Sequence, residues 1–253
     1  MKTLPILLLP ALFFACSTKD TPNAQDAIEK QILADIDAKP SILAKPVSQK
    51  LVSKVEVNVQ YDKGPNLDYV YNYEYDLNGK IKAIKSNLKD IWTFSYQGNE
   101  LIVSNGSGLI NKKYTLDKSG LAQMDNFYYK DGYLWLSIGK EGFANTYSTE
   151  GNLIARRADG IKADYEYTEF PNTIRQEVVS PSSISLYAIT RDNYLGNFST
   201  NLLKRVQFSE GENVTLDYSY KFDAENRVKT MTIRRKSNMN GMGDATFQCV
   251  FSY

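Results

Sequence analysis

The chain of 253 residues is 42% hydrophobic, 12% aromatic and 23% charged, with 30 Lys+Arg against 29 Asp+Glu, a net charge of +1 and no histidine. That composition excludes a disordered tail, a collagenous repeat and a disulfide scaffold, and the charge balance gives no electrostatic basis for binding nucleic acid. Without imidazole, Ser-His-Asp triads and most zinc sites are also excluded, and the expectation is a protein that is not an enzyme and carries no metal or cofactor.

The chain opens with Lys2 and an apolar run from Leu4 to Ala15, broken by Pro5 and Pro10. At about 12 residues the run is too short for a membrane-spanning helix, which needs about 20, so residues 1–15 are read as a signal peptide. Phe13-Phe14-Ala15-Cys16 resembles a bacterial lipobox, with Phe13 where Leu is usual. The resemblance implies lipidation of Cys16 and membrane attachment through that lipid. Only Cys16 and Cys249 exist, which fits a lipidated cysteine beside a buried thiol better than a disulfide. Ser17 after the cysteine is compatible, by resemblance to Gram-negative lipoproteins, with sorting to the outer membrane, facing either periplasm or cell surface.

Residues 16–50 are read as a tether with one short helix. Ile28, Ile32 or Leu33, and Ile36 recur at helical spacing, and Pro40 ends the pattern, predicting a helix over 26–38. From Leu51 to Tyr253 the period becomes two, and this stretch is taken as a single domain. Val55, Val57, Val59 and Tyr61 oppose Lys54, Glu56, Asn58 and Gln60; Tyr69, Tyr71, Tyr73 and Tyr75 oppose Asp68, Asn72, Glu74 and Asp76. Similar alternation runs through Trp92/Phe94/Tyr96, Val214 to Phe222 and Phe247 to Tyr253, placing Cys249 on an apolar face. Closely spaced Asn-Gly, Asp-Gly and Gly-Asn turns join these segments into hairpins. The prediction is an all-β fold of about a dozen to sixteen strands. It is an antiparallel meander curled into a soluble barrel or half-barrel. A membrane barrel would need an aliphatic lipid-facing band, and the hydroxyls of an unbroken tyrosine stripe would find no partners there. The stretch from Ser180 to Asn201 breaks the period and is expected to cap one end of the sheet or to serve as a functional loop.

Tyr73 to Ile84 (YEYDLNGKIKAI) aligns with Tyr220 to Met231 (YKFDAENRVKTM) and more loosely with Tyr147 to Leu153. These copies resemble the tyrosine-aspartate hairpins of Rhs-type repeats. With the lipobox, Asn193 to Leu203 (NYLGNFSTNLL) and the closing strand Phe247 to Tyr253, the chain more closely resembles a Gram-negative secreted lipoprotein family of unknown function with a porin-like fold. The resemblance implies an extensive curled antiparallel sheet and no known activity.

Ser86-x-x-Lys89 and Ser137-x-x-Lys140 match a serine-lysine spacing, yet they sit among strand and turn residues without the companion motifs of that chemistry. Asp76-x-Asn78-Gly79 resembles the start of a calcium loop but lacks the later acidic ligands, and reads as a hairpin turn. The remaining candidates are aromatic. Trp92, Trp135, Tyr128, Tyr129 and Tyr133 occupy both parities near turns, so an exposed platform for a glycan or an envelope protein is expected, with core packing as the alternative. The functional expectation is therefore a lipid-anchored envelope protein with a binding or structural role. A hydrolase acting on glycans or envelope polymers and a periplasmic lipid carrier are the alternatives.

Overall fold

The computed structural model describes residues 24–43, 50–88, 91–106, 108, 111–139, 142–158, 160–176, 192–209, 213–238 and 243–253. The leader, Cys16, Lys89, Lys140 and residues 180–191 of the aperiodic stretch lie outside them. The chain forms two compact units, Met1–Ala38 and Lys39–Tyr253. In the first, the predicted helix is present as α1 (Ala24–Asp37), where Gln31 donates to Asp35 Oδ1 one turn on, at 2.8 Å.

The second unit is one antiparallel sheet of 16 strands: β1 (Lys54–Tyr61), β2 (Leu67–Tyr75), β3 (Ile81–Ser86), β4 (Ile91–Gln97), β5 (Glu100–Asn105), β6 (Asn111–Leu116), β7 (Ala122–Gln123), β8 (Phe127–Lys130), β9 (Tyr133–Ser137), β10 (Phe143–Tyr147), β11 (Leu153–Ala158), β12 (Ile161–Pro171), β13 (Asn201–Ser209), β14 (Val214–Phe222), β15 (Val228–Ser237) and β16 (Ala245–Ser252). Each strand pairs with its sequence neighbour, apart from β7 with β8, and β1 also pairs with β16 from Lys54↔Ser252 to Tyr61↔Ala245. The first and last strands therefore meet mid-sheet, and the open edges are β7 and β8, neighbours in the chain. The result is a nearly closed barrel. Both edges are short, which limits the unpaired backbone offered to other chains.

Val55, Val57 and Val59 are 0–2% exposed. A valine is too short to be covered from inside a wide, water-filled barrel, so the interior at these strands is packed rather than a channel. The outer face is polar. Cross-strand ion pairs Lys113–Glu100, Arg157–Asp164, Lys204–Glu166 and Arg205–Asp217 lie on it, the inverse of a lipid-facing surface.

The tyrosine stripes point inward, and several hydroxyls are satisfied by carbonyls of neighbouring strands or the segments that lead into them. Tyr75 donates to Val52 O at 2.7 Å, Tyr147 to Leu134 O at 3.1 Å, Tyr167 to Leu153 O at 2.8 Å, Tyr220 to Leu203 O at 2.7 Å and Tyr253 to Val228 O at 3.0 Å. Each ring adds apolar area to the core while its polar tip closes a hydrogen bond. Cys249 is fully buried, and burial pushes its thiol up to about 12.

Candidate functional site

One end of the barrel carries the connections that follow the even-numbered strands. At β2–β3, Asp76 Oδ1 accepts the N–H groups of Asn78 and Lys80 at 2.8 and 2.9 Å. Asp117 does the same for Ser119 and Leu121 at β6–β7, and Asp223 for Glu225 and Arg227 at β14–β15. At β10–β11, Ser148 stands in place of the aspartate and accepts the Asn152 N–H at 3.3 Å. The position three residues after the capping residue takes a positive φ in all four turns: Gly79, Gly120 and Gly151 at 75–84° and Asn226 at 57°. Asp76-x-Asn78-Gly79 is thus a turn, as the sequence suggested. The Asp117 turn departs from the other three in having Leu116 where they have an aromatic residue before the capping position.

These turns recur at every fourth connection. Between them, β4–β5 and β8–β9 are joined by the two-residue turns Gly98-Asn99 and Asp131-Gly132. At the next equivalent place, β12–β13, residues 172–200 stand instead. Their described parts reach across the barrel end through Asp192 to β3 and β4, with a 3₁₀ turn at Asn193–Leu195, while most of the stretch expected to be a cap or a functional loop lies outside the described residues.

Three buried polar residues seat this connection. Asn172 Oδ1 accepts Gln176 N at 2.8 Å, and its Nδ2 donates to Gln176 O and Ser199 O, both at 3.0 Å. Gln176 Oε1 accepts Leu203 N at 3.2 Å and shares the single Tyr220 hydroxyl proton with Leu203 O, each acceptor 2.7 Å from the hydroxyl oxygen. Asp192 reaches across the barrel end: Oδ2 accepts Ile81 N at 2.9 Å and the Tyr96 hydroxyl, and Oδ1 pairs with Arg175 Nη1 at 3.0 Å. Burial and the neighbouring Asp192 carboxylate raise the Tyr96 phenol well above its usual value. Arg175 holds φ at +53°, a left-handed conformation that non-glycine residues adopt at a cost, here compensated by the ion pair. Gly132, which holds φ at +79° and so favours glycine, lies against the Asn197 side chain of the connection, on which a Cβ would press.

The connection and the surrounding turns enclose a pocket of about 540 Å³, within the range of small-molecule sites. Its aromatic walls are Tyr96, Tyr133, Tyr194 and Phe198. Lys80 and Arg175 are its cations, and both are engaged, Lys80 Nζ lying 4.4 Å from the Tyr96 ring centroid. Asp131 and Asp192 are its carboxylates; Asp131 Oδ2 accepts Ile42 N at 2.9 Å. Asn78, Ser119 and Asn193 also line it, from three different connections.

The five aromatic residues singled out in the sequence do not form an exposed platform. Trp135 and Tyr133 are each 5% exposed and Tyr128 is 8% exposed. The Tyr133 and Trp135 rings pack on Tyr147 at 4.9 and 5.4 Å. Trp92 lies opposite Ile84 and packs half-buried on the core, and Tyr129 is half-buried. Parity failed as a guide because β8 and β9 are buried on both faces and a bulge between Tyr128 and Tyr129 shifts the register. Tyr133 alone of the five reaches the pocket. Asp192, Arg175, Asn172 and Gln176 carried no sequence signal beyond their place in or beside the aperiodic stretch.

No protein-family model matches the chain, and no curated protein matches it in sequence. Its fold is similar to a porin-like protein from Bacteroides uniformis, with a TM-score of 0.62 and 16% identity over 81% of this chain and 98% of that one. A porin-like protein from Bacteroides vulgatus is similar too, with a TM-score of 0.53 and 15% identity over 80% of this chain and 98% of the other. At such identities what the chain shares with these proteins is the fold, a many-stranded antiparallel barrel.

Proposed function

We propose that this chain is an exported outer-membrane lipoprotein, anchored through Cys16 and facing periplasm or cell surface, whose barrel serves as a non-catalytic binding module for a neutral glycan. The observation that carries the reading is the pocket built where residues 172–200 replace a two-residue turn. Its two cations and two carboxylates balance, with Arg175 and Asp192 paired, Lys80 over the Tyr96 ring and Asp131 on the Ile42 N–H, so the wall favours neither an anionic nor a cationic ligand. Amide and hydroxyl side chains set among aromatic rings suit a polyhydroxylated ligand.

Hydrolysis is the second reading, favoured by Asp131 and Asp192 lining one pocket. Against it, three donors already occupy the Asp192 oxygens, leaving little freedom to exchange a proton with a substrate. Carriage of lipid inside the sheet finds no support in an interior packed as tightly as that around Val55 and Leu216.

The test is a glycan-array screen with the purified chain, followed by affinity measurements on the strongest neutral glycan. Asn78→Ala and Asn193→Ala should each weaken binding about tenfold, equivalent to one hydrogen bond of about 1.4 kcal/mol. Full retention by both variants would remove the pocket as the site, and release of reducing ends from the bound glycan would favour hydrolysis.

A further inference from the structure

We infer that the glycan taken by this pocket carries an N-acetylamino group, seated where Ile42 and Asp131 meet. The inference rests on the glycan reading above and deepens it by naming the substituent that the wall distinguishes.

The subsite grows out of the tight turn between β8 and β9. Asp131 and Gly132 hold φ at +52° and +79°, the pair of left-handed residues that a two-residue hairpin turn favours. The turn sets the Asp131 carboxylate at the pocket wall, against residues 39–43. These are fastened to the barrel at three points. Lys130 Nζ donates to Lys39 O, Asp131 Oδ2 accepts the Ile42 N–H at 2.9 Å, and the Leu43 N–H donates to Thr149 O at 2.8 Å. Ile42, half-buried, is thereby fixed as part of the wall.

Two properties set this corner apart from the rest of the pocket. Ile42 is the only aliphatic residue among the described residues that line it; the others are aromatic, amide, hydroxyl, glycine or charged. Sugar hydroxyls gain nothing from an aliphatic surface, whereas burying one methyl there improves affinity about fourfold. The second property is a spare acceptor. Asp192 accepts from Ile81, Tyr96 and Arg175, but Asp131 accepts only the Ile42 N–H, on Oδ2. Its Oδ1 has no donor among the described residues, and the side chain is exposed.

An acceptor and an aliphatic surface, held side by side by one hydrogen bond, match the two demands of an acetamido group. In a trans amide the N–H and the methyl lie on the same edge, so a single approach gives the N–H to Asp131 and the methyl to Ile42. A hydroxyl in that place would use Asp131 and leave Ile42 uncovered. The group is neutral, in keeping with a wall whose charges balance.

The test is calorimetric titration of the purified chain with three glucose-based disaccharides of one linkage. They differ only in the substituent beside the anomeric carbon: N,N′-diacetylchitobiose, chitobiose with free amines, and cellobiose. Diacetylchitobiose is expected to bind at least about tenfold tighter than cellobiose. Ile42→Ser should reduce that ratio about fourfold. Asp131→Asn keeps an oxygen for the Ile42 N–H and tolerates the left-handed backbone, yet it turns an amide donor toward the acetamido N–H, and it should reduce the ratio about tenfold. Each variant is read as a ratio of two ligands on one preparation, so partial unfolding does not imitate the result. No binding of diacetylchitobiose, equal affinity for it and cellobiose, tighter binding of the free amine, or a ratio unchanged in both variants would overturn the inference. Asn193→Ala separates the two readings. A glycan that it releases, without any acetamido preference, leaves the pocket as the site and refutes the substituent alone; diacetylchitobiose binding that survives both Asn78→Ala and Asn193→Ala removes the pocket and this inference with it.

Discussion

Two kinds of connection share one end of this barrel, and they reach their shapes by different means. The turns at Asp76, Asp117, Ser148 and Asp223 are each built from contacts within five residues, and each repeats the same backbone bonds: Asp76 N to Lys80 O, Asp117 N to Leu121 O, Ser148 N to Asn152 O and Asp223 N to Arg227 O. The described parts of the connection at residues 172–200 contain one local clasp, between Asn172 and Gln176, and otherwise depend on distant contacts. Its described parts are held by Asp192 on β3 and β4, Gln176 on β13 and β14, and Asn197 N on Gly132 O at 2.8 Å. Local coding gives a regular wall, and long-range contact gives the irregular concavity in which binding chemistry can be placed.

The largest effect expected is alkaline unfolding of the wall itself. Burial pushes Tyr75, which precedes the Asp76 turn, up to about 12, and it does the same for Tyr253 beneath Arg227. Their unfolded value is 10.0, so the unfolded chain loses these protons first. The stability they contribute is complete below pH 10 and is lost as pH rises through 12. Phenolate absorbance and circular dichroism followed together should show one coincident transition in that window. Tyrosine ionisation that precedes loss of β structure by a separate step would show that these rings are not part of the cooperative wall.

Asp192→Ala sharpens the contrast from the other side. It leaves the Arg175 guanidinium, the Ile81 N–H and the Tyr96 hydroxyl without their acceptor, and a loss of about 3 kcal/mol is expected in denaturant unfolding. A loss under about 1 kcal/mol would mean that the connection is not fastened through this carboxylate.

Asp76→Ala removes two side-chain bonds to backbone amides in a solvent-exposed turn, and about 1 kcal/mol is the expected cost. The same change at Asp117 should cost a similar amount, since the geometry is repeated. Unequal costs would show that the turns, alike in form, are not alike in energy. The smallest effect is expected at Asn226→Gly. Asparagine already tolerates the left-handed conformation, so a change within about 0.5 kcal/mol should be seen by thermal unfolding, whereas Gly79→Ala should cost about 1 kcal/mol.

Much of the architecture was legible because strand and turn are periodic and local. Alternation at Val55 to Val59 and at Tyr69 to Tyr75 identified the inward face, and the Asp-x-x-Gly spacing identified the hairpins. The tyrosine hydroxyls excluded a lipid-facing stripe, in agreement with an outer face that carries the ion pairs. Alternation misled only where both faces of a strand are covered, at Tyr128, Tyr133 and Trp135. There, burial is decided by segments remote in sequence, and parity contains no information about them.

The sequence by itself determined the antiparallel meander, a range of about a dozen to sixteen strands, the inward tyrosines and most of the turns, since each depends on residues within a few positions of one another. Tertiary structure alone decided that β1 would pair with β16, that the edges would fall at β7 and β8, and that Asp192, Arg175 and Gln176 would converge at one end. Those outcomes depend on contacts between residues tens to hundreds of positions apart, as between Ile81 and Asp192. No local pattern encodes such meetings; they follow from how sixteen strands close around a common core.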